Sequence, residues 1–125
     1  MTDHIIPGMR DVLGALAGHR FSLEDEKRTQ NEIWSVLCGD PRTWNCSREV
    51  RIAGGIIDFV VDAGNCIGIE VKLKGQPAAI VRQVKGYAAE PRLDGLVLVT
   101  AKPVALGPKI CGTPVVAFDL ARAWL

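Results

Sequence analysis

The sequence predicts an α/β domain on a mixed sheet flanked by helices, and three observations carry that prediction. Residues 56–61 and 67–73 are short runs rich in β-branched side chains, separated by a turn-like Asp62-Ala63-Gly64-Asn65-Cys66. Residues 22–38 place Ile33 and Leu37, with Trp34 beside them, at helical spacing. Residues 96–100 and 115–118 are continuous apolar runs bounded by Gly or Pro, as in strands covered on both faces.

Composition sets the outer limits. A chain of 125 residues is the size of one domain with a real core and no room for a second. With 48% hydrophobic and 23% charged residues it reads as an ordinary globular chain, and no apolar run is long enough to span a bilayer. No basic segment followed by a long apolar core marks a secretory signal, so a cytoplasmic location is expected. The net charge of +1 advertises no global field for nucleic acid, so any such surface must be local. Cys38, Cys46, Cys66 and Cys111 lack metal-ligand spacing and are expected to be free, mostly buried thiols. His4 and His19 read as surface or loop residues.

Along the chain, Met9, Val12, Leu13 and Leu16 follow the breaker Pro7-Gly8 at one-face spacing, giving a short N-terminal helix within residues 1–20 that packs as a flap. Ser22 is the expected N-cap of the next helix, with Asp25 completing a capping-box pattern and Gly39-Asp40-Pro41 stopping it after Cys38. Glu26 and Gln30 sit at the start of its core-facing stripe. Glu24, Asp25 and Glu26 can instead simply complement the positive end of the helix dipole. A first strand is expected around Cys46–Ile52, where Arg48 and Arg51 either reach a phosphate backbone or are solvated strand residues. Pro77 opens a second long helix and Pro91 closes it, aligning Ile80, Gln83, Val84 and Tyr87 on one face. Residues 101–112 read as a Pro/Gly-rich loop and residues 120–125 as a short C-terminal helix.

The chemistry concentrates in the predicted hairpin. Alternation puts Gly68, Glu70, Lys72 and Lys74 on one face of its second strand. A hairpin symmetric about Gly64 sets Asp58 opposite Glu70, at about 5 Å between Cβ atoms. An even-numbered turn would throw Asp58 to the other face. Two adjacent carboxylates repel unless a cation lies between them, and hard oxygen ligands suit Mg²⁺ or Mn²⁺. The plainer reading pairs Asp58 and Glu70 with Lys72 and Lys74 at a sheet edge.

From Ser22 to Phe118, the order helix, three-strand meander, helix, strand, strand, with Asp58 followed by Glu70-Val71-Lys72, resembles the PD-(D/E)XK nuclease superfamily. Gln83-Val84-Lys85-Gly86-Tyr87 is similar to the Q-x-x-x-Y motif of its RecB-like branch, and Glu26 with Gln30 resembles the E-x-x-x-Q helix of small phage and bacterial members. Ile57 stands where the family name has Pro. The resemblance implies a restriction-endonuclease-like core and an Mg²⁺- or Mn²⁺-dependent deoxyribonuclease. In it Asp58, Glu70 and the Val71 carbonyl hold metal, and Lys72 activates or positions water. Glu26 supports the metal site, while Gln83 and Tyr87 brace Lys72 or bind phosphate. Arg48, Arg51, Lys74 and Arg82 are the expected DNA contacts, and so small a chain is expected to act as a homodimer or to be recruited by a protein partner. The alternative is a catalytically silent nucleic-acid-binding or assembly protein on the same scaffold.

Overall fold

Antiparallel pairing opens the sheet and parallel pairing completes it. The computed structural model describes residues 4–39 and 42–125. Its elements are α1 (Pro7–Leu16), α2 (Glu26–Cys38), β1 (Asn45–Ile52), β2 (Gly55–Asp62), β3 (Cys66–Lys72), α3 (Pro77–Ala88), β4 (Gly95–Thr100), β5 (Lys109–Ile110) and β6 (Thr113–Asp119), then a 3₁₀ turn over Leu120–Trp124. The strand order is β1-β2-β3-β4-β6-β5. β1, β2 and β3 form an antiparallel meander, β4 and β6 continue parallel to β3, and β5 pairs antiparallel with β6. The result is an α/β fold with a six-stranded mixed sheet. Among the described residues, no helix is long and apolar enough to cross a membrane.

Two cores form, one on each face of the sheet. Met9, Val12 and Leu16 of α1 and Ile33 and Leu37 of α2 pack on Phe59, Val61, Ile67, Ile69, Val97 and Val99. Ile80, Val84 and Tyr87 of α3 pack on Ile57, Leu96, Leu98 and Val115. β4 is buried throughout, since strands flank it on both sides and helices cover both faces. β6 is only half-buried, against the sequence expectation, because the two-residue β5 is all that lies outside it.

Several sequence expectations are corrected. α1 is no flap: Met9, Val12 and Leu16 are fully buried in the core. Helix α2 begins at Glu26 with Asp25 as its N-cap, whose side chain accepts from Arg28 N at 3.1 Å, while Ser22 Oγ accepts from Asp25 N and shapes the turn before it. The stop assigned to Asp40 and Pro41 lies outside the described residues. The cysteines are free but not buried, Cys38 and Cys111 being exposed and Cys46 and Cys66 half-buried. The loop over residues 101–112 contributes β5, too short for any sequence pattern to mark.

A close approach fixes α3 against the β1–β2 turn. Gly54 has φ +84°, and a Cβ built on it would lie 2.6 Å from the Gly86 carbonyl carbon. Nearby, Glu90 accepts from Ala53 N at 2.9 Å and from Arg92 Nε at 2.9 Å, and Arg92 Nη2 donates to the Arg51 carbonyl. The turn is thereby clamped to the end of α3. Gly54→Ala therefore adds a backbone clash to left-handed strain and is expected to cost about 2–4 kcal/mol. Gly64→Ala, at φ +88° in open space, is expected to cost only about 1–2 kcal/mol. Thermal unfolding followed by circular dichroism ranks the two; equal losses would refute the role given to the contact.

Candidate functional site

The hairpin has the odd turn that the sequence reading required. Phe59↔Ile69, Val60↔Gly68, Val61↔Ile67 and Asp62↔Cys66 pair symmetrically about Gly64. The ladder then stops. Asp58 would face Glu70 next, but β2 has left β3 by that point.

The departure centres on Asp58. On one strand Ile57 and Phe59 should share a face, yet Ile57 packs beneath α3 and Phe59 beneath α1 and α2. The β1–β2 ladder breaks at the same place, where Glu49 takes φ 52° between the pairs Arg48↔Phe59 and Val50↔Ile57. Asp58 thus lies where β2 rolls over, and its side chain turns sideways into the gap instead of standing on a face.

The gap leaves backbone donors of β3, and of Leu73 just beyond it, without a strand partner, and carboxylates take them. Val71 N donates to Asp58 Oδ2 at 2.8 Å, and Leu73 N donates to Glu26 Oε1 at 2.9 Å. Asp58 N in turn donates to Glu70 Oε1 at 3.1 Å, and Gln30 Nε2 reaches Asp58 Oδ1 at 3.3 Å. The N–H and C=O of a strand residue point to the same side, so the Val71 carbonyl faces this gap as well. Lys72 Nζ stands 3.8 Å from Glu70 Oε2, its side chain 30% exposed.

From the opposite face, α3 brings Tyr87. Its hydroxyl donates to the Ile56 carbonyl at 2.8 Å, accepts from Gln83 Nε2 at 2.9 Å and lies 3.5 Å from Glu70 Oε2. Burial and the neighbouring Glu70 charge push the phenol up to about 12, so it stays a donor. With its one proton on Ile56, the hydroxyl offers Glu70 a lone pair, which accepts from the protonated acid and not from the carboxylate. Gln83 and Tyr87 thus stand beside Glu70 and make no hydrogen bond to Lys72 among the described residues, where the sequence reading had them brace Lys72 or bind phosphate.

Burial pushes Glu70 up to about 8, helped by the charge of Asp58 and opposed by Asp58 N–H and Lys72. Asp58 is raised too, again mainly by burial, with Val71 N–H pulling it back down. Two carboxyl groups lie beside one ammonium, and the Glu26 charge adds to the upward push on both, although among the described residues no three acidic, His or Cys side chains cluster closely enough to form a ready-made metal cage.

Eight sequence-predicted residues thus converge: Glu26, Gln30, Asp58, Glu70, Val71, Lys72, Gln83 and Tyr87. The four proposed DNA contacts do not join them. Arg48 lies over the Trp34 ring at 5.2 Å and the Phe59 ring at 5.5 Å and donates to Asn31 Oδ1, tying β1 to α2. Arg51, Lys74 and Arg82 are exposed. Among the described residues, no hydrogen bond or ion pair links any of the four to the site carboxylates. No family model, curated protein or solved structure matches the chain.

Sequence reasoning missed Thr100, which pairs with Lys72 in the β3–β4 ladder and is buried at the same end of the sheet. Only the strand order reveals that neighbour.

An acid whose folded-state pKa is raised binds its proton more tightly when folded. Its stabilisation is complete below the unfolded value of 4.5 and is lost as pH rises through about 8. The metal-free chain should therefore lose stability, on the order of a few kcal/mol, between about pH 5 and 8.5. Glu70→Gln should flatten that slope. Urea unfolding at several pH values measures it, and an unchanged slope in the variant would assign it to other groups.

Proposed function

We propose that the protein is a metal-dependent nuclease with a restriction-endonuclease-like core, hydrolysing phosphodiester bonds of DNA through Asp58, Glu70 and Lys72. The observation that carries the reading is the fork between β2 and β3, which gathers two hindered carboxylates, a backbone carbonyl and an ammonium in one gap. The donor set fits a hard divalent cation. Asp58, Glu70 and the Val71 carbonyl supply oxygens of the kind Mg²⁺ or Mn²⁺ prefers, and a cation would offset both the burial that chiefly raises the two acids and the neighbouring carboxylate charge that adds to it. Such an ion would supply Lewis-acid stabilisation of charge developing on the phosphoryl group.

The chain's own groups have definable tasks around it. Val71 N–H and Gln30 hold Asp58, and Asp58 N–H holds Glu70, with the Tyr87 ring and hydroxyl packed beside it. Both carboxylates are thus preorganised at little cost when substrate arrives. Lys72, partly exposed and not locked in a short ion pair, is free to donate to a phosphoryl oxygen or to orient the attacking water. Glu26, fixed by Leu73 N–H, adds negative charge on the α2 side. A homodimer or a recruiting protein would supply the grip on a duplex that so small a surface lacks.

One observation favours a second reading. Asp58 satisfies a β3 backbone N–H and Glu26 that of Leu73 just beyond β3, which gives both acids a structural task without catalysis. A silent nucleic-acid-binding or assembly protein on this scaffold would keep them for that reason.

Incubation of single-stranded, duplex and branched DNA with Mn²⁺, with and without chelator, separates the two. Lys72→Ala is expected to lower cleavage by about 10²-fold or more with the chain still folded, while Lys85→Ala leaves it within a few-fold. Cleavage indifferent to chelator and to Lys72→Ala would come from a contaminant and end the hydrolase reading. Binding without cleavage would favour the silent scaffold.

A further inference from the structure

A cavity of about 740 Å³ opens at the carboxyl ends of β4 and β6, walled by Leu16, Ala105, Ala117 and Phe118. His19, Lys102 and Arg122 also line it, all three exposed. Asp119 is the one acid among the described residues lining it, and its carboxylate is already taken by Ala121 N at 2.9 Å. Charge around the opening therefore favours an anion, while the interior favours a flat apolar body.

Its position ties it to the proposed site. Lys72 pairs with Thr100, and Thr100 with Asp119, across three parallel strands. Neighbouring strands lie about 4.8 Å apart, so the cavity floor begins one to two strand spacings, roughly 5–10 Å, from the Lys72 backbone. Crevices at the carboxyl ends of parallel strands are the usual ligand sites of open α/β sheets.

We propose that this cavity receives an unpaired nucleotide of single-stranded DNA, whose neighbouring phosphodiester lies at the Asp58/Glu70/Lys72 gap. The base would enter among the apolar walls, with Phe118 and His19 as stacking partners, and Lys102 and Arg122 would meet the adjoining phosphates. Such combinations of aromatic faces and cations bind single strands through stacking plus charge. A duplex cannot insert a base without unpairing it, so the cavity selects single strands or frayed ends. The proposal rests on the nuclease reading for the place of the phosphodiester, but its test reads binding alone.

Fluorescence anisotropy of a labelled single-stranded oligodeoxynucleotide and its blunt duplex, measured with the Lys72→Ala chain in Ca²⁺, supplies that test. Ala105→Trp, which fills the cavity and leaves every charge in place, is expected to weaken single-strand binding at least about tenfold, the loss of one stacked base, and duplex binding less than threefold. Lys102→Glu with Arg122→Glu should weaken both and reduce the salt dependence. A single strand carrying 5-iodouracil should photocrosslink to Phe118 or His19. Parent-like single-strand binding by Ala105→Trp, or crosslinks confined to residues outside the cavity, would overturn the proposal. If Ala105→Trp fails to fold, the charge-reversal and crosslinking results decide. Absence of cleavage by the unsubstituted chain with Mn²⁺, with selective single-strand binding present, would remove the hydrolase reading and leave the cavity assignment intact.

Discussion

The divergence of β2 from β3 beyond Phe59 governs the geometry of the site. A strand that loses its partner leaves N–H groups that must find acceptors, and a buried orphan donor costs about 1–3 kcal/mol. Here the partners are not water but Asp58 and Glu26, which take Val71 N–H and Leu73 N–H. The backbone's need for acceptors therefore draws two acids toward a third, Glu70, that the strand has already buried. Had β2 stayed in register, Val71 N–H would have met a carbonyl, and nothing would have held the carboxylates together against their repulsion.

How far that crowding is left uncompensated is clear from another buried acid in the same chain. Glu90 is 7% exposed and Glu70 3%, but Glu90 lies just under the exposed Arg92 side chain, whereas Glu70 is enclosed within the sheet. Glu90 is driven down to about 2, chiefly by hydrogen bonds from Arg92 and from Ala53 N–H, whereas Glu70 is pushed up to about 8. The difference lies first in depth of burial and then in the partners. Glu90 receives a guanidinium and two backbone donors, while Glu70 has one backbone N–H, an ammonium at 3.8 Å and the opposing charge of Asp58. The fold can stabilise a buried carboxylate when the arrangement serves structure alone, and at the fork it leaves the acid undercompensated so that it keeps its proton to higher pH, a pattern associated with sites that handle ligands or chemistry.

Much of this was legible in the sequence because it depends on local period. The two strands and the consequence of an odd turn about Gly64 could be read from the sequence, though not that the turn is odd, and the face of α3 followed from helical spacing of Ile80, Gln83, Val84 and Tyr87. The sequence even set Asp58 near Glu70. It could not show how they meet. Alternation makes Asp58 a side chain on a flat face, whereas the chain rolls over at that residue, a consequence of Ile57 and Phe59 packing under different helices. It likewise could not separate Arg48 as a binding residue from Arg48 as a stacking residue, since the distinction rests on Trp34 and Phe59 from two other elements. Nor could the helix start be placed at Asp25 rather than Ser22, because both can accept from a backbone N–H three residues on.

The rolled strand also explains how groups from opposite layers come to one place. A continuous sheet keeps the side chains of its two faces apart, and layers packed against a sheet lie about 10 Å from it. Gln30 and Glu26 come from the α1/α2 side, Gln83 and Tyr87 from the α3 side, and an unbroken ladder between β2 and β3 would separate them. Opening the ladder at Asp58 lets Gln30 touch Asp58, Asp58 touch the β3 backbone and Glu70, and Glu70 meet Tyr87, in one chain of contacts through the sheet. Each layer then packs beside one carboxylate, and neither acid can move without disturbing the helix next to it. Preorganisation of this kind needs no additional domain, because the two helical layers already required by the hydrophobic cores provide the packing.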